Sequence, residues 1–184
     1  MIFADKSEDT GMRRSYIILP AFIIIALGSC IKIENLPPEP MVDFREFTLY
    51  DSTDILGNPI RVGKLTFYFE DGDGDLGLPQ PESNLSDEET NLFLKLYRKT
   101  GGVFELVGPT DPQYPSEYRI PQMIVPGQNR ILKGTIDVSI TYFLYNPLDT
   151  LYYDFWVKDR SGNESNTDST CVFVLGDSGP CGEV

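Results

Sequence analysis

The sequence predicts an all-β protein in which two antiparallel sheets pack face to face. Beyond residue 40, apolar and polar residues alternate with a period of two, the period of a half-buried strand. Glycines and prolines interrupt this alternation at short intervals, as turns do. No window of ten or more residues in this part of the chain favours a helix. These observations together indicate a β-sandwich.

Seven segments are predicted as strands: residues 42–50, 61–70, 91–99, 103–107, 130–141, 150–158 and 169–175. Apolar side chains alternate within them, which gives a strand one buried face. The clearest sets are Leu65, Phe67 and Phe69; Leu92, Leu94 and Leu96; Ile136, Val138 and Ile140; and Tyr153, Phe155 and Val157. Gly101 and Gly102 form a hairpin turn between the third and fourth strands. Seven short strands in about 135 residues are typical of an immunoglobulin-like antiparallel β-sandwich.

The N-terminal region has the features of a bacterial secretory signal. Arg13 and Arg14 precede an apolar run over residues 16–27, and small residues follow that run. A transmembrane helix is one alternative, but the run is shorter than the roughly 20 residues a bilayer requires. A buried core helix is another, and a small domain would have to cover it on all sides. Because residues 1–11 are more acidic than a signal normally is, we expect translation to start at Met12.

The signal ends in Leu27-Gly28-Ser29-Cys30, which resembles the lipobox of bacterial lipoproteins. In that family the cysteine receives a diacylglyceryl group and a peptidase cuts before it. The resemblance implies a signal peptide at residues 1–29 and lipidation of Cys30. Residues 30–40 are then a proline-rich tether of up to roughly 30 Å, ahead of a domain at residues 41–184. We expect a lipid-anchored protein of the cell envelope, in the outer membrane, with the leaflet left open.

Charge and composition exclude several classes of function. The chain has 15 basic and 28 acidic residues and a net charge of −13, which repels nucleic acid and anionic headgroups. The lipid must therefore provide the membrane attachment. The chain has no histidine, so the usual base for a serine or cysteine nucleophile is missing. We expect no enzyme, and a carboxylate-pair glycosidase is the less favoured alternative.

Two cysteines other than Cys30 can form a disulfide. The compartment beyond the inner membrane permits such bonds, and Cys30 is committed to lipid. A bond between Cys171 and Cys181 would join the last predicted strand to the C-terminal tail. The alternative is two free thiols, one of them buried.

Residues 153–163 carry a further resemblance. Their alternating aromatic strand and polar turn are similar to the penultimate strand and following turn of fibronectin type III domains. Together with residues 69–77 and the lead at residues 37–40, they resemble uncharacterised lipoproteins of the Bacteroidetes. The resemblance implies a sandwich fold and an envelope location. It implies little about activity, because sandwich folds serve in adhesion, glycan binding and scaffolding alike.

Asp71, Asp73 and Asp75 alternate with glycines and form the one cluster with site chemistry. Calcium takes six to eight oxygen ligands, and close carboxylates repel one another unless a cation or solvent separates them. The spacing begins like that of an EF-hand loop. However, Leu76 occupies the position where that loop needs glycine, and neither flank is helical. The cluster is therefore a candidate for a structural calcium site in a loop at a strand end rather than in an EF-hand.

A second polar turn, at residues 159–163, can add calcium ligands. If the strands ending at Phe69 and Lys158 run to the same end of the sandwich, the two turns meet there. Asp159 and Asn163 would then join the three aspartates. The alternative is that Asp-Gly pairs form plain solvated turns, since both residues tolerate left-handed backbone. No other cofactor is expected.

Three triplets resemble the O-glycosylation sites of exported Bacteroidetes proteins. They are Asp51-Ser52-Thr53, Asp149-Thr150-Leu151 and Asp168-Ser169-Thr170. The resemblance implies a sugar on Ser52, Thr150 and Ser169. An unmodified chain is the alternative, because Ser and Thr are also common in strands for structural reasons.

Three functions fit these features. The preferred one is a non-catalytic module that binds an envelope protein or a glycan, and the others are a structural subunit of an outer-membrane complex and an enzyme. The candidate contact residues are aromatic: Tyr142, Phe143, Tyr145, Tyr152 and Trp156. About half of them are expected to pack in the core instead.

Overall fold

The computed structural model describes residues 36–81, 89–124 and 130–181. Within these ranges lie nine strands: β1 (Met41–Thr53), β2 (Pro59–Asp71), β3 (Leu92–Thr100), β4 (Val103–Leu106), β5 (Leu132–Tyr142), β6 (Thr150–Val157), β7 (Asp168–Ser169), β8 (Phe173–Val174) and β9 (Gly179–Cys181). The same ranges contain no helix that is long and apolar enough to cross a membrane. The predicted signal peptide and Cys30 lie outside the described residues.

Two antiparallel sheets form the sandwich that the sequence predicts. The first sheet has the strand order β5-β2-β1-β9, and the second has the order β4-β3-β6-β7, with β8 also paired to β6. β1 and β2 form a long hairpin in which Met41 lies opposite Glu70. β2 also pairs with β5 along its length, from Arg61 to Asp71. The immunoglobulin-like sandwich class is therefore confirmed.

The alternating apolar side chains meet between the sheets. Phe47 and Phe67 of the first sheet are completely buried, and so are Tyr153 and Phe155 of the second. The ring centroids of Phe67 and Phe155 are 5.1 Å apart, so an aromatic contact joins the two layers. The period-two pattern thus placed the core on the correct face of β2, β3, β5 and β6.

The first six predicted strands are present, but the single strand predicted at residues 169–175 is wrong. The structure has two short strands there, β7 and β8. Between them the Thr170 hydroxyl oxygen accepts the Tyr153 backbone N–H at 2.9 Å, in place of a backbone carbonyl. The register against β6 shifts by one residue across this point, as at a β-bulge.

The C-terminal segment crosses from the second sheet to the first. β8 pairs with β6, whereas β9 pairs with β1 opposite residues 47–49. A disulfide joins Cys171 and Cys181, whose Cα atoms are 6.0 Å apart. Arg61 is buried beneath this segment and donates from Nε to the Leu175 carbonyl at 3.0 Å. The C-terminal segment is therefore held by the disulfide and by the buried Arg61 guanidinium.

The antiparallel pairing gives the sandwich two distinct ends. We call one the tether end, and it comprises residues 36–40, 71–78 and 159–164. We call the other the distal end, and it comprises residues 54–58, 111–115 and 143–149. β1 begins at the tether end opposite the end of β2, so the tether enters there.

Candidate functional site

The predicted calcium loop follows β2 at the tether end and depends on its glycines. A Cβ atom at Gly72 would lie 2.1 Å from the Pro37 carbonyl oxygen. At Gly74, where φ is +70°, a Cβ atom would lie 1.7 Å from the Arg130 carbonyl oxygen. Only glycine leaves room for these close backbone approaches. The loop therefore folds between two other segments of the chain.

This loop brings three carboxylates together. One oxygen from each of Asp71, Asp73 and Asp75 lies within 4.8 Å of the others. The Oδ1 atoms of all three are buried and have no hydrogen-bond partner within the described ranges. Asp71 is only 1% exposed. Buried polar atoms without partners are rare in folded proteins, so these three need an explanation.

The remaining oxygens hold two of the carboxylates in place. Asp71 Oδ2 accepts the Leu76 backbone N–H at 2.6 Å. Asp75 Oδ2 accepts the Ser161 hydroxyl at 2.7 Å. Because each of these side chains is held by one oxygen, the orientation of the other oxygen is fixed. The loop therefore positions its unpartnered oxygens through its own fold and through the 159–164 turn.

The local electrostatics disfavour a third negative charge. Burial raises the pKa of the Asp73 carboxyl, and the neighbouring Asp71 and then Asp159 raise it further. None of the ion pairs found in the described part of the chain involves the three aspartates. The cluster thus concentrates negative charge, and no ion pair among the described residues balances it.

The predicted second turn meets the predicted calcium loop. Ser161 contacts Asp75, and Arg160 donates from Nη1 to the Gly77 carbonyl at 2.7 Å. Asp159 is buried, and its carboxylate accepts both the backbone and the side-chain N–H of Asn163, each at 2.8 Å. Asp159 therefore adds its charge to the site, while the Asn163 amide is fixed on Asp159.

Residue Pro37 of the tether also contacts the predicted calcium loop. The Gly72 N–H donates to the Pro37 carbonyl at 3.1 Å. The Gly72 backbone, which links Asp71 to Asp73, is thus bonded to the chain that arrives from the predicted anchor. The tether end therefore joins three separate segments around one cluster of acids.

The distal end has a different character. Several of its exposed side chains are large and apolar: Ile55, Leu56, Phe143, Leu144 and Leu148. Phe143 is 69% exposed and Leu144 is 75% exposed. Large apolar side chains gathered at one end of a soluble domain are typical of an interaction surface.

A cavity of about 240 Å³ lies beside these distal loops. Tyr114, Tyr118 and Phe143 line its sides together with Gln113, and the buried pair Tyr142 and Tyr153 lines it as well. The hydroxyl oxygens of that pair are 2.8 Å apart. One hydroxyl donates to the other, which leaves the second O–H group without an acceptor among the described side chains. Tyr142 was expected as an exposed contact, and this expectation is wrong because β5 directs the side chain inward.

Arg98 holds the segment that closes the cavity. Its guanidinium donates to both Asp111 oxygens, at 2.6 and 3.1 Å, and to Gln113 Oε1 at 3.0 Å. Asp149 lies 3.4 Å from Arg98 Nε. The hydrogen bonds from Arg98 lower the pKa of the Asp111 carboxyl. This network joins residues 111–113 to the loop before β6.

Tyr152 and Trp156 belong to an aromatic ladder on the outer face of the second sheet. Trp156 stacks on Phe93 with ring centroids 5.4 Å apart, and Tyr152 stacks on Tyr97 at 4.7 Å. Phe104 meets the Tyr152 ring edge-on. The stacked rings stabilise cross-strand pairs between β3 and β6. Tyr145, by contrast, is exposed in the distal loop.

The three candidate glycosylation residues lie in strands. Ser52 is near the end of β1 and Thr150 begins β6, and both are half-buried. Ser169 ends β7, is exposed, and donates its hydroxyl to Asp154 Oδ1 at 2.6 Å. Ser169 is therefore the most accessible of the three hydroxyls, although a sugar there would displace its bond to Asp154.

Comparisons with protein-family models, with curated proteins and with solved structures find no match to this chain. The function therefore has to be argued from the two ends of the sandwich.

Sequence reasoning missed the distal cavity. Its wall at residues 112–118 has no periodic pattern, and its prolines indicated only a loop. The one available signal was the aromatic and amide content of this loop, Gln113, Tyr114 and Tyr118. These side chains alone do not predict a cavity, because its other walls come from β5 and β6, which only the fold brings beside the loop.

Proposed function

We propose that this chain is a lipid-anchored, non-catalytic binding module of a bacterial cell envelope, held in the outer membrane through Cys30. The observation that carries the proposal is the placement of the two ends. The tether enters beside the acidic cluster, whereas the exposed apolar loops at residues 54–58 and 143–149 lie at the opposite end. Within the domain, the apolar loops therefore lie at the end opposite the one where residues 36–40 enter.

The proposed partner of the distal end is another envelope protein. Phe143, Leu144 and Leu148 are exposed side chains of the type that protein interfaces bury. A membrane as partner is disfavoured, because the net charge of −13 repels anionic headgroups. A stable contact of this kind would make the chain an accessory or structural subunit of an outer-membrane complex.

Mild crosslinking and affinity purification from native membranes test this proposal. The Leu144→Ser/Leu148→Ser double variant should lose a partner that wild type recovers near stoichiometry. Val172→Ser, which changes an exposed apolar residue outside the distal loops, is the matched control and should keep that partner. Equal recovery by all three proteins would contradict a distal binding surface.

A glycan is a second candidate ligand, and the tyrosine pair favours it. The spare O–H of Tyr142 or Tyr153 and the Gln113 amide offer hydrogen bonds in a cavity with aromatic walls. The cavity volume of about 240 Å³ suits a single sugar unit. Glycan-array binding that Tyr142→Phe weakens and Tyr145→Phe leaves unchanged would support this ligand.

The anchor has its own test. Cys30→Ser should move the protein from the membrane fraction to the soluble fraction, and mass spectrometry of the wild-type N-terminus should show a diacylated or triacylated Cys30. An N-terminus free of lipid in membrane-bound wild type would overturn the lipoprotein proposal.

A further inference from the structure

We propose that the tether end binds one calcium ion through Asp71, Asp73 and Asp75, and that this ion fastens the tether to the domain. The proposal goes beyond the binding function of the distal end and does not depend on it. It concerns residues at the opposite end of the sandwich, so either proposal can fail alone.

The first argument is the unpartnered oxygens. Asp71 is 1% exposed, and its Oδ1 has no hydrogen-bond partner in the described part of the chain. A buried carboxylate oxygen without a partner is costly, and the fold places two more beside it. A cation at the point where the oxygens converge satisfies all three at once. A plain solvated turn would leave such atoms in contact with water.

The second argument is geometric. Calcium–oxygen distances of about 2.3–2.6 Å allow two ligands of one ion to lie up to roughly 5 Å apart. The three carboxylates each place an oxygen within 4.8 Å of the other two, which fits a shared ion. The bonds from Leu76 and Ser161 hold two of these side chains in that orientation before any ion arrives.

The third argument is the chemistry of the donors. The cluster offers only oxygen atoms, which hard cations prefer over the sulfur and nitrogen ligands that transition metals take. Three close carboxylates and a nearby Asp159 concentrate charge in a way that a divalent ion neutralises. Magnesium demands a near-ideal octahedral arrangement of ligands, whereas calcium accepts a more irregular one. Calcium is therefore the ion that fits this loop best.

The ion would couple three segments of the chain. Asp71 ends β2, and Asp75 is bonded to Ser161 of the turn after β6. Between the ligands Asp71 and Asp73, Gly72 donates to the Pro37 carbonyl of the tether. An ion that holds the carboxylates in place therefore also holds the Gly72 backbone, which is hydrogen-bonded to Pro37. With the ion bound, residues 36–40 are held against the loop through the bond between Pro37 and Gly72.

The test uses the full chain purified in detergent and stripped with a chelator. Calcium chloride or magnesium chloride is then added, and binding is followed by isothermal titration calorimetry and by the melting temperature. Wild type should bind one calcium ion per chain, and its melting temperature should rise by about 3–6 °C at a tenfold excess over Kd. Magnesium should give a clearly smaller shift.

Variants locate the ion. Asp73→Asn should abolish the calcium response and leave the chelated protein at least as stable as wild type, because it removes a crowded negative charge. Asp177→Asn, which changes an exposed carboxylate away from the cluster, should respond like wild type. If Asp73→Asn does not fold, Asp75→Asn replaces it.

Three results would overturn the proposal. They are the absence of binding heat in wild type with millimolar calcium, an unchanged calcium response in the Asp73 and Asp75 variants, and an equal response to magnesium. The wild-type titration alone decides the first and third, whatever the variants do.

Discussion

The two ends of the sandwich differ in charge, in exposure and in the way they are held. The tether end gathers acidic side chains with unpartnered oxygens, whereas the distal end exposes Phe143, Leu144 and Leu148. At the tether end, backbone carbonyls press against Gly72 and Gly74. At the distal end, the Arg98 guanidinium holds the loops through side-chain hydrogen bonds. The fold of the tether end therefore depends on close backbone packing at its glycines, and the fold of the distal end depends on the hydrogen bonds of Arg98. Mutations can therefore perturb one end without the other.

The largest effect is expected from Gly74→Ala at the tether end. The added Cβ would meet the Arg130 carbonyl oxygen at 1.7 Å, in backbone with φ of +70°. We expect a loss of at least about 3 kcal/mol in the free energy of unfolding, measured by urea denaturation. Gly101→Ala is the matched control, since Gly101 has φ of +60° but open space around it, and should lose about 1 kcal/mol. Equal losses would contradict the close approach.

The disulfide belongs to neither end and provides a reference. Replacing Cys171 and Cys181 by serine should lower the free energy of unfolding by about 2–3 kcal/mol, because a bond across 10 residues restrains the unfolded chain. Calcium binding and partner capture should both persist in the folded protein. Loss of either function in a folded double-serine variant would show that the crossing segment supports more than stability.

Arg98→Met tests how the distal end is held. Removing the guanidinium leaves Asp111 and Gln113 without their donor and Asp149 without its ion-pair partner, and we expect a loss of about 1–2 kcal/mol. Lys64→Met is the control, because its ion pair with Asp137 is exposed and should contribute less than about 0.5 kcal/mol. A loss no larger than that of the control would mean that Arg98 does not hold the distal segment.

The same pair of residues predicts a pH dependence. Arg98 lowers the folded-state pKa of the Asp111 carboxyl below its unfolded value of about 3.9. The stability from this pair is therefore present above the unfolded value and is lost as the pH falls through the lower folded value. The difference in unfolding free energy between wild type and Arg98→Met should stay constant from pH 7 to about 5 and shrink below about 4. A difference that grows in acid would contradict this assignment.

The smallest effect is expected in the distal cavity. Tyr142→Phe removes one hydroxyl and leaves the buried Tyr153 hydroxyl without its partner at 2.8 Å, so we expect a loss of about 1 kcal/mol. Tyr145→Phe, at an exposed tyrosine of the neighbouring loop, should change the unfolding free energy by less than about 0.5 kcal/mol. Thermal melts of the two variants side by side measure the difference.

The sequence predicted regular structure better than it predicted sites. Leu65, Phe67 and Phe69 face the core because alternation follows directly from the strand period. The prediction of one strand at residues 169–175 was wrong because the Thr170 hydroxyl, and not a backbone carbonyl, accepts the Tyr153 N–H. The sequence alone does not show which of these two oxygens accepts that bond.

The candidate sites show the same limit. The spacing of Asp71, Asp73 and Asp75 indicated an acidic cluster, because neighbours in sequence stay close in any fold. The contact between Ser161 and Asp75 depended on the direction of two strands, which a pattern does not give. The inward position of Tyr142 and the cavity beside it depend on the packing of residues 112–118, for which no periodic signal exists.

The central claim is that the tether end is a calcium-binding junction separate from the distal binding surface. Hydrogen exchange of the full chain with and without calcium, read by mass spectrometry, tests it directly. The account predicts slower exchange at residues 36–40, 71–78 and 159–164, and no change at residues 111–115 and 143–149. Unchanged exchange at the tether end, or slowing spread equally over both ends, would contradict it.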